Sequence, residues 1–296
     1  MKPDSLLECE LDGRKLRVSS LSFSYSLDHS LGSFEAVLGV REFDYVKTRA
    51  GSVMHIKGQG FERNCLLETI SHEPQKELSI GGRDKVSIML DSTARPESFA
   101  GGITLLSLGQ KVCSEYGFSF DGPDKKIGPI AVNKGESSLA FLERASNPLI
   151  LTSSNGSDIR VLKRAEEIEI SKGFKLTGLE YRRNISDVFE TYELADGSHS
   201  WMKGWEKPIK RKVKGSGVEG KKKIFFAQST NLGEQARRRE EESESIKISV
   251  DRVMKIVPGS LLNIDTMGIK GTFKAKSISY EISPSEASTS IEGVKV

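Results

Sequence analysis

The chain has 296 residues, enough for two or three domains that each bury a core. Hydrophobic residues make up 36% and aromatics 7%, lean for a compact enzyme but too rich for a disordered chain. With 44 Lys+Arg against 41 Asp+Glu the net charge is +3, which excludes a global field that would single out nucleic acid or a membrane.

Cys9, Cys65 and Cys113 are odd in number and far apart, against a disulfide framework or a CxxC metal knuckle and in favour of a reduced compartment. Met1-Lys2-Pro3-Asp4-Ser5 is not a basic region leading into an apolar run, and about 18 apolar residues never stand together. A soluble chain with no signal peptide and no membrane insertion is expected.

At the N-terminal end, Glu8 to Leu11 and Leu16 to Val18 flank Asp12-Gly13, a two-residue hairpin signal. Strands are predicted near Leu21 to Leu27 and Phe34 to Val40. A three-strand unit follows: Gly51-Ser52-Val53-Met54-His55-Ile56, a turn at Gly60-Phe61, Leu66 to Glu73, and Leu78 to Gly82. Val53 and His55 alternate with Met54 and Ile56, the period of two that a half-buried antiparallel strand requires. Six short strands in this length point to a small barrel or sandwich. Gly81-Gly82 precede the charged Arg83-Asp84-Lys85, but without GxxxxGK[ST] spacing a structural turn is expected there, not a phosphate cradle.

From Thr104 the period changes. Leu105, Leu108, Val112 and Cys113 share one face, with Thr104 as cap and Gly117 as stop, so an amphipathic helix is predicted and Cys113 reads as a small core residue. Phe118 to Phe120 and Ile127 to Val132 read as extended, the second at an edge because it contains Pro129. Asn133-Lys134-Gly135-Glu136-Ser137-Ser138 leads into a second helix, Leu139 to Ala145, and Leu149 to Thr152 with Ile159 to Leu162 form a hairpin about Asn155-Gly156. The centre is thus expected to be a compact α+β unit.

The last third repeats the first. Gly259-Ser260-Leu261-Leu262-Asn263-Ile264, a turn at Gly268, Phe273 to Glu281, and Ser290 to Gly293 restate the Gly51 unit. Upstream, Tyr181 followed by Val188-Phe189 keeps nearly the spacing of Tyr25 and Phe34. Two related antiparallel β-barrels flanking the central α+β domain are therefore expected, at 1–95, 96–170 and 171–296. Inside the second lies a polar insertion at about 198–223, with Trp201 and Trp205 among Lys203, Lys207, Lys210, Arg211, Lys212, Lys214 and Lys221-Lys222-Lys223. Basic residues beside aromatics suit single-stranded nucleic acid, whereas a flexible loop anchored on a neighbour by its tryptophans is the plainer reading. After it come a strand, Ile224 to Ala227, and a helix from Asn231 to Ser245 whose Arg237 to Glu242 run suits ion pairing in solvent.

A family resemblance rests on a series of short stretches in order: Gly82-Arg83-Asp84, then Leu90-Asp91-Ser92-Thr93, then Gly135-Glu136-Ser137-Ser138 running to Leu142-Glu143-Arg144-Ala145, then Asn155-Gly156 and Arg160-Val161-Leu162. In this order they resemble the baseplate hub proteins of Mu-type contractile phage tails, which are similar to the hub domains of other tailed phages and to the trunk of type VI secretion spikes. The resemblance implies a homotrimer whose two barrels per subunit form a ring of six similar units. Such a ring joins the sixfold tail tube, or a distal tube protein, to the central spike, in a virion baseplate assembled in the host cytoplasm. The insertion departs from the family's pattern; in that setting it could face DNA, the host envelope or another tail protein.

Enzyme chemistry finds no purchase. His29, His55, His72 and His199 lie in no HExxH or HxH arrangement, and no GxSxG elbow occurs. His55 and His72 sit in predicted strands on the polar alternation, where solvent-facing or inter-subunit positions are expected. No catalytic, cofactor-binding or metal residue is assigned, and the expected function is structural. The alternatives are a nucleic-acid or glycan binding module on small β-barrels and, more remotely, a cell-wall hydrolase, for which no domain-sized segment is spare.

Overall fold

The computed structural model describes residues 7–26, 31–58, 61–72, 77–147, 149–162, 167–170, 175–195, 209–225 and 232–296. The first part holds β1 (Leu7–Leu11), β2 (Arg14–Leu16), β3 (Val18–Ser26), β4 (Ser33–Leu38), α1 (Phe43–Val46), β5 (Val53–Gly58), β6 (Phe61–His72) and β7 (Leu78–Asp84). Asp12 and Gly13 turn β1 into β2 with φ of 48° and 79°, the pair of positive values that a type I′ hairpin needs. The centre holds α2 (Ile88–Asp91), β8 (Ser98–Phe99), α3 (Leu105–Ser114), β9 (Ser119–Asp121), β10 (Ile130–Ala131), α4 (Ser138–Ser146), β11 (Ile150–Thr152) and β12 (Asp158–Leu162). Thr104 caps α3 by accepting the Ser107 N–H at 3.2 Å, and Ser137 caps α4 by accepting the Ala140 N–H at 3.2 Å.

The last part holds β13 (Glu167–Ile170), β14 (Leu176–Arg183), β15 (Phe189–Ala195), β16 (Ile209–Lys214), β17 (Val218–Phe225), α5 (Leu232–Ser243), β18 (Glu244–Val250), β19 (Leu261–Thr266), β20 (Ile269–Ile282) and β21 (Ala287–Lys295). Both ends of the chain enter one 13-stranded sheet, in the order β14-β18-β21-β20-β3-β4-β7-β6-β5-β1-β2, with β13 on β19 and β19 on β20. Every ladder in it is antiparallel except β13 on β19. The molecule is therefore β-rich with a large antiparallel sheet, and among the described residues no barrel closes on itself. The physical reason lies in β20: its first half pairs with β19 and its second half with β3, so the edge that would close a second barrel is given to the first unit.

Three apolar clusters result. The largest pools both ends, from Leu7 and Phe23 to Tyr280 and Ile291. A second joins Val86 and Met89 to α3, α4 and the β11–β12 hairpin, with Cys113 buried in it. A small third sets Leu232 and Ala236 of α5 against Tyr192 of β15.

Phe189 and the basic insertion also depart from what the sequence led one to expect. Phe189 does not match Phe34: it starts β15, which pairs with β16 and β17 in a separate three-stranded sheet, and β18 takes the place corresponding to β4. The described part of the basic insertion, from 209 onward, forms strands of that sheet and not a loop; Trp201, Trp205, Lys203, Lys207, His199 and His29 lie outside the described residues.

Candidate assembly surface

The repeat holds at the level of single hydrogen bonds. Gly51 (φ 88°) donates to Leu67 O at 2.7 Å, and Gly259 (φ 94°) donates to Ala275 O at 2.8 Å. Leu67 N returns a bond to Ser52 O at 3.0 Å, and Ala275 N returns one to Ser260 O at 2.8 Å. In each copy the ladder then slips by one residue, between Leu67 and Thr69 and between Ala275 and Ser277. This β-bulge bends the strand, and in each copy a glycine, Gly82 or Gly293, stands opposite it. A Cβ on Gly82 would stand 1.8 Å from Leu66 O, and one on Gly293 would stand 3.2 Å from Lys274 O. Gly81 and Gly82 are thus strand residues, not the expected turn.

The bulge also corrects the solvent-facing half of the expectation for His72. Beyond Glu68 the alternation inverts, so Ile70 and His72 turn to the core side and Thr69 and Ser71 are exposed. His72 packs against Phe43 with ring centroids 4.3 Å apart and the rings tilted by 31°, and its Nδ1 is buried without a partner among the described residues. His55, on the polar side as expected, bonds Asn64 at 3.0 Å and lies 3.2 Å from Glu62.

The motif residues build joints. Asp84, fully buried, accepts the Gly32 N–H at 2.8 Å and faces Arg63 at 3.9 Å. Arg63 donates to Ser153 O at 2.7 Å and lies 4.7 Å over the Tyr25 ring. Asn64 N–H donates to Asn155 O and Val86 N–H to Gly156 O, so the turn at Asn155-Gly156 is hydrogen-bonded onto the first strand unit. Gly156, at φ 77°, is required there, since a Cβ would stand 2.2 Å from Asn64 O. Burial pushes the Asp84 carboxyl up to about 6 against the pull of Arg63 and of the Gly32 N–H. Arg83 grips Glu68 across the bulge and Asp91 of α2, both at 2.6 Å. Arg144 holds Glu136 and Ala131 O at the foot of α4, and this hydrogen bond lowers the Glu136 carboxyl. Burial pushes Asp158 up, but Ser154, Asn155 and Arg160 outweigh it and its net shift is down. The cysteines are free and buried, and burial raises Cys9 and Cys113 to about 12.

One face of the large sheet is hydroxylic. Ser33, Ser24, Ser279, Ser290 and Ser249 stand opposite one another across β4, β3, β20, β21 and β18, and Ser24 and Ser33 are hydrogen-bonded at 2.9 Å. The flanking rows are charged: the row of Glu35, Ser22, Glu281 and Ser288 on one side is acidic, and that of Ser26, Ser277, Glu292, Lys247 and Glu180 on the other mixes signs. A groove in this face is lined by Glu180, Arg182, Lys247, Lys276 and Glu292.

Among the described residues the strand order ends at β14 and at β2, and β13 has β19 alone; two of the open edges belong to the duplicated unit. β14 ends the strand order, with β18 on one side only, and its Tyr181 is 41% exposed. Along Thr69 to His72, β6 has β7 on one side and no strand of the described residues on the other. In β20 the corresponding stretch is covered by β3.

No protein-family model and no curated protein matches this chain. Solved structures do. The 43 kDa tail protein of prophage MuSo2 from Shewanella oneidensis is 15% identical, with 98% of each chain covered and a TM-score of 0.74. A tail protein of Neisseria meningitidis MC58 is 15% identical over 98% of this chain and 96% of its own, with a TM-score of 0.70. An Escherichia coli component of the type VI secretion system, described as structurally similar to the T4 tail proteins gp27 and gp5, is 9% identical over 97% of this chain and 76% of its own, at a TM-score of 0.53. The chain thus has the fold of prophage tail proteins and of a type VI secretion component, as the ordered motifs led one to expect.

Proposed function

We propose that this chain is a structural baseplate hub protein: three copies close a ring of six similar units between the tail tube and the central spike of a contractile tail. The observation that carries this reading is the duplicated sheet unit, matched bond for bond at Gly51 and Gly259, in a chain with a tail-protein fold. Two copies of one unit in each of three subunits give quasi-sixfold and threefold symmetry at once, which a joint between sixfold and threefold partners requires. The chain divides into the parts 1–95, 96–170 and 171–296, with each terminal part a barrel-like wedge of the ring and the central α+β part at its periphery. Its partners are itself, a tube or distal tube protein and a spike protein; its place is the virion tail; its role is assembly and not catalysis.

Light scattering with mass analysis, together with electron micrographs, tests the reading. A three-chain particle with six lobes is expected. A monomer at high concentration, with no rings, would sink it.

One observation favours the polyanion-binding alternative: Arg211, Lys212 and Lys214 on β16 are exposed together. Lys221 and Lys223, in contrast, are occupied over the Phe189 ring at 4.7 Å and 5.7 Å. Deleting Ser200 to Lys221 would abolish a salt-sensitive binding of polyanions if that alternative held.

A further inference from the structure

The two copies of the sheet unit can be superposed strand by strand through their ladders. In the first, Leu67 pairs with Gly82, Gly82 with Phe34, and Phe34 with Phe23. In the second, Ala275 pairs with Gly293, Gly293 with Ile246, and Ile246 with Tyr181. The strand order β3-β4-β7-β6 is thus repeated as β14-β18-β21-β20. Residue equivalences follow: Phe23 with Tyr181, Ser24 with Arg182 and Tyr25 with Arg183; and beyond the bulge, Ile70 with Ile278, Ser71 with Ser279 and His72 with Tyr280.

The chain uses the junction between such units once, inside itself. There β3 adds to the free side of β20, with Tyr280 opposite Phe23, Ser279 opposite Ser24 and Ile278 opposite Tyr25. The partners are then sealed: Phe23 and Ile278 are 0% exposed and Tyr280 is 3%. The equivalents that lack this junction are not. Tyr181 is 41% exposed and Ile70 only partly buried, although each holds the place of a sealed residue. One molecule therefore carries one unmatched edge of each kind, the β14 type and the β6 type.

We infer that β14 of one copy adds antiparallel to Thr69–His72 of the next, in the register of the internal junction: Tyr181 opposite His72, Arg182 opposite Ser71 and Arg183 opposite Ile70. The occupant is a second copy of this chain, because among the described residues the strand that fits the β20 edge is β3, and β14 is its duplicate. Strand addition supplies main-chain hydrogen bonds to both edges, and the paired side chains fix the register. The contact is head-to-tail, so it closes a ring or propagates without limit. This inference rests on the ring reading proposed above and supplies the contact that builds it.

Disulfide trapping tests it, since residues directly opposite in antiparallel strands lie within reach of an S–S bond and residues displaced by two positions do not. Ser71 and Arg182 are both exposed, and the three native cysteines are buried. The full chain carrying Ser71→Cys and Arg182→Cys is oxidised and run without reductant. Covalent species of two and three chains are expected, reverting to one on reduction. The double variant Ser24→Cys and Ser279→Cys should close within one chain and so reports that sheet and chemistry are intact. Ser71→Cys with Glu180→Cys, out of register, should stay largely uncrosslinked. If the assembly has three-chain mass but the in-register pair does not crosslink, or the out-of-register pair crosslinks as well as it, the strand addition is wrong while the ring survives. If the chain is monomeric throughout, the ring reading itself fails and this contact with it.

Discussion

Neutralising the buried carboxylate that joins the first strand unit to the centre should stabilise the protein above pH 6. Asp84 is fully buried, and its attractions are the Arg63 guanidinium at 3.9 Å and the Gly32 N–H at 2.8 Å. Breaking a buried ion pair usually costs about 3–5 kcal/mol, because a charge is left behind. Here, however, the carboxyl sits at about 6 against an ordinary 3.8 with the pull of Arg63 already included, so burial outweighs attraction. At about 1.4 kcal/mol for each tenfold change, ionised Asp84 lowers stability by about 3 kcal/mol relative to the protonated form. For a raised value the contribution is full below about pH 4 and is lost as pH rises through about 6. Asp84→Asn keeps an oxygen for Gly32 and has no charge to bury. Urea unfolding of both proteins at one fixed concentration should show the variant ahead by about 2–3 kcal/mol at pH 8, with the gap closing near pH 4. A variant less stable at pH 8, with a difference flat across this range, would mean that the Arg63 attraction dominates and that the reasoning has the wrong sign.

Gly82→Ala should cost about 2–3 kcal/mol, the upper part of the range for overpacking, because the new methyl meets the backbone oxygen of Leu66 at 1.8 Å. Gly13→Ala, with nothing within 4 Å of its Cβ but φ of 79°, should cost about 1 kcal/mol; equal losses in chemical denaturation would refute the assignment of Gly82 to the bulge. Thr104→Ala removes the acceptor of the Ser107 N–H and should cost about 1 kcal/mol, read as a lower urea midpoint at unchanged slope.

Much of this architecture was legible because its signals are local. Asp12-Gly13 announces its hairpin, Thr104 announces its helix, and Gly51-Ser52 and Gly259-Ser260 announce the duplicated corner, where glycine permits a positive φ. What failed depended on distant partners. The bulge opposite Gly82 leaves no mark at Glu68 itself, so the inversion that carries His72 to the core side could not be counted from the alternation. The match of Phe189 to Phe34 failed because spacing along the chain says nothing about an inserted sheet: β15 to β17 and α5 all intervene before β18 resumes the unit. The ordered motifs were legible as residues but not as roles. Arg83, Asp84, Glu136, Arg144 and Gly156 hold bulge, turn and helix foot together, jobs visible only when their partners are in place.

The two copies of the edge strand differ where their circumstances differ. In β3 the outward positions are Ser22, Ser24 and Ser26, small and uncharged beside Glu281, Ser279 and Ser277 of the partner they meet during folding of one chain. In β14 the equivalent positions begin with Glu180 and Arg182, which pair with each other at 2.6 Å, and Arg183 stands where β3 has Tyr25. An edge that folds against its partner within the chain is never offered to other molecules for long. An edge that must wait in solvent for another copy is a template for indiscriminate pairing unless charge guards it. The charged version of the strand is the one that ends the sheet, as expected of an edge kept soluble until a partner with the Thr69–His72 side arrives.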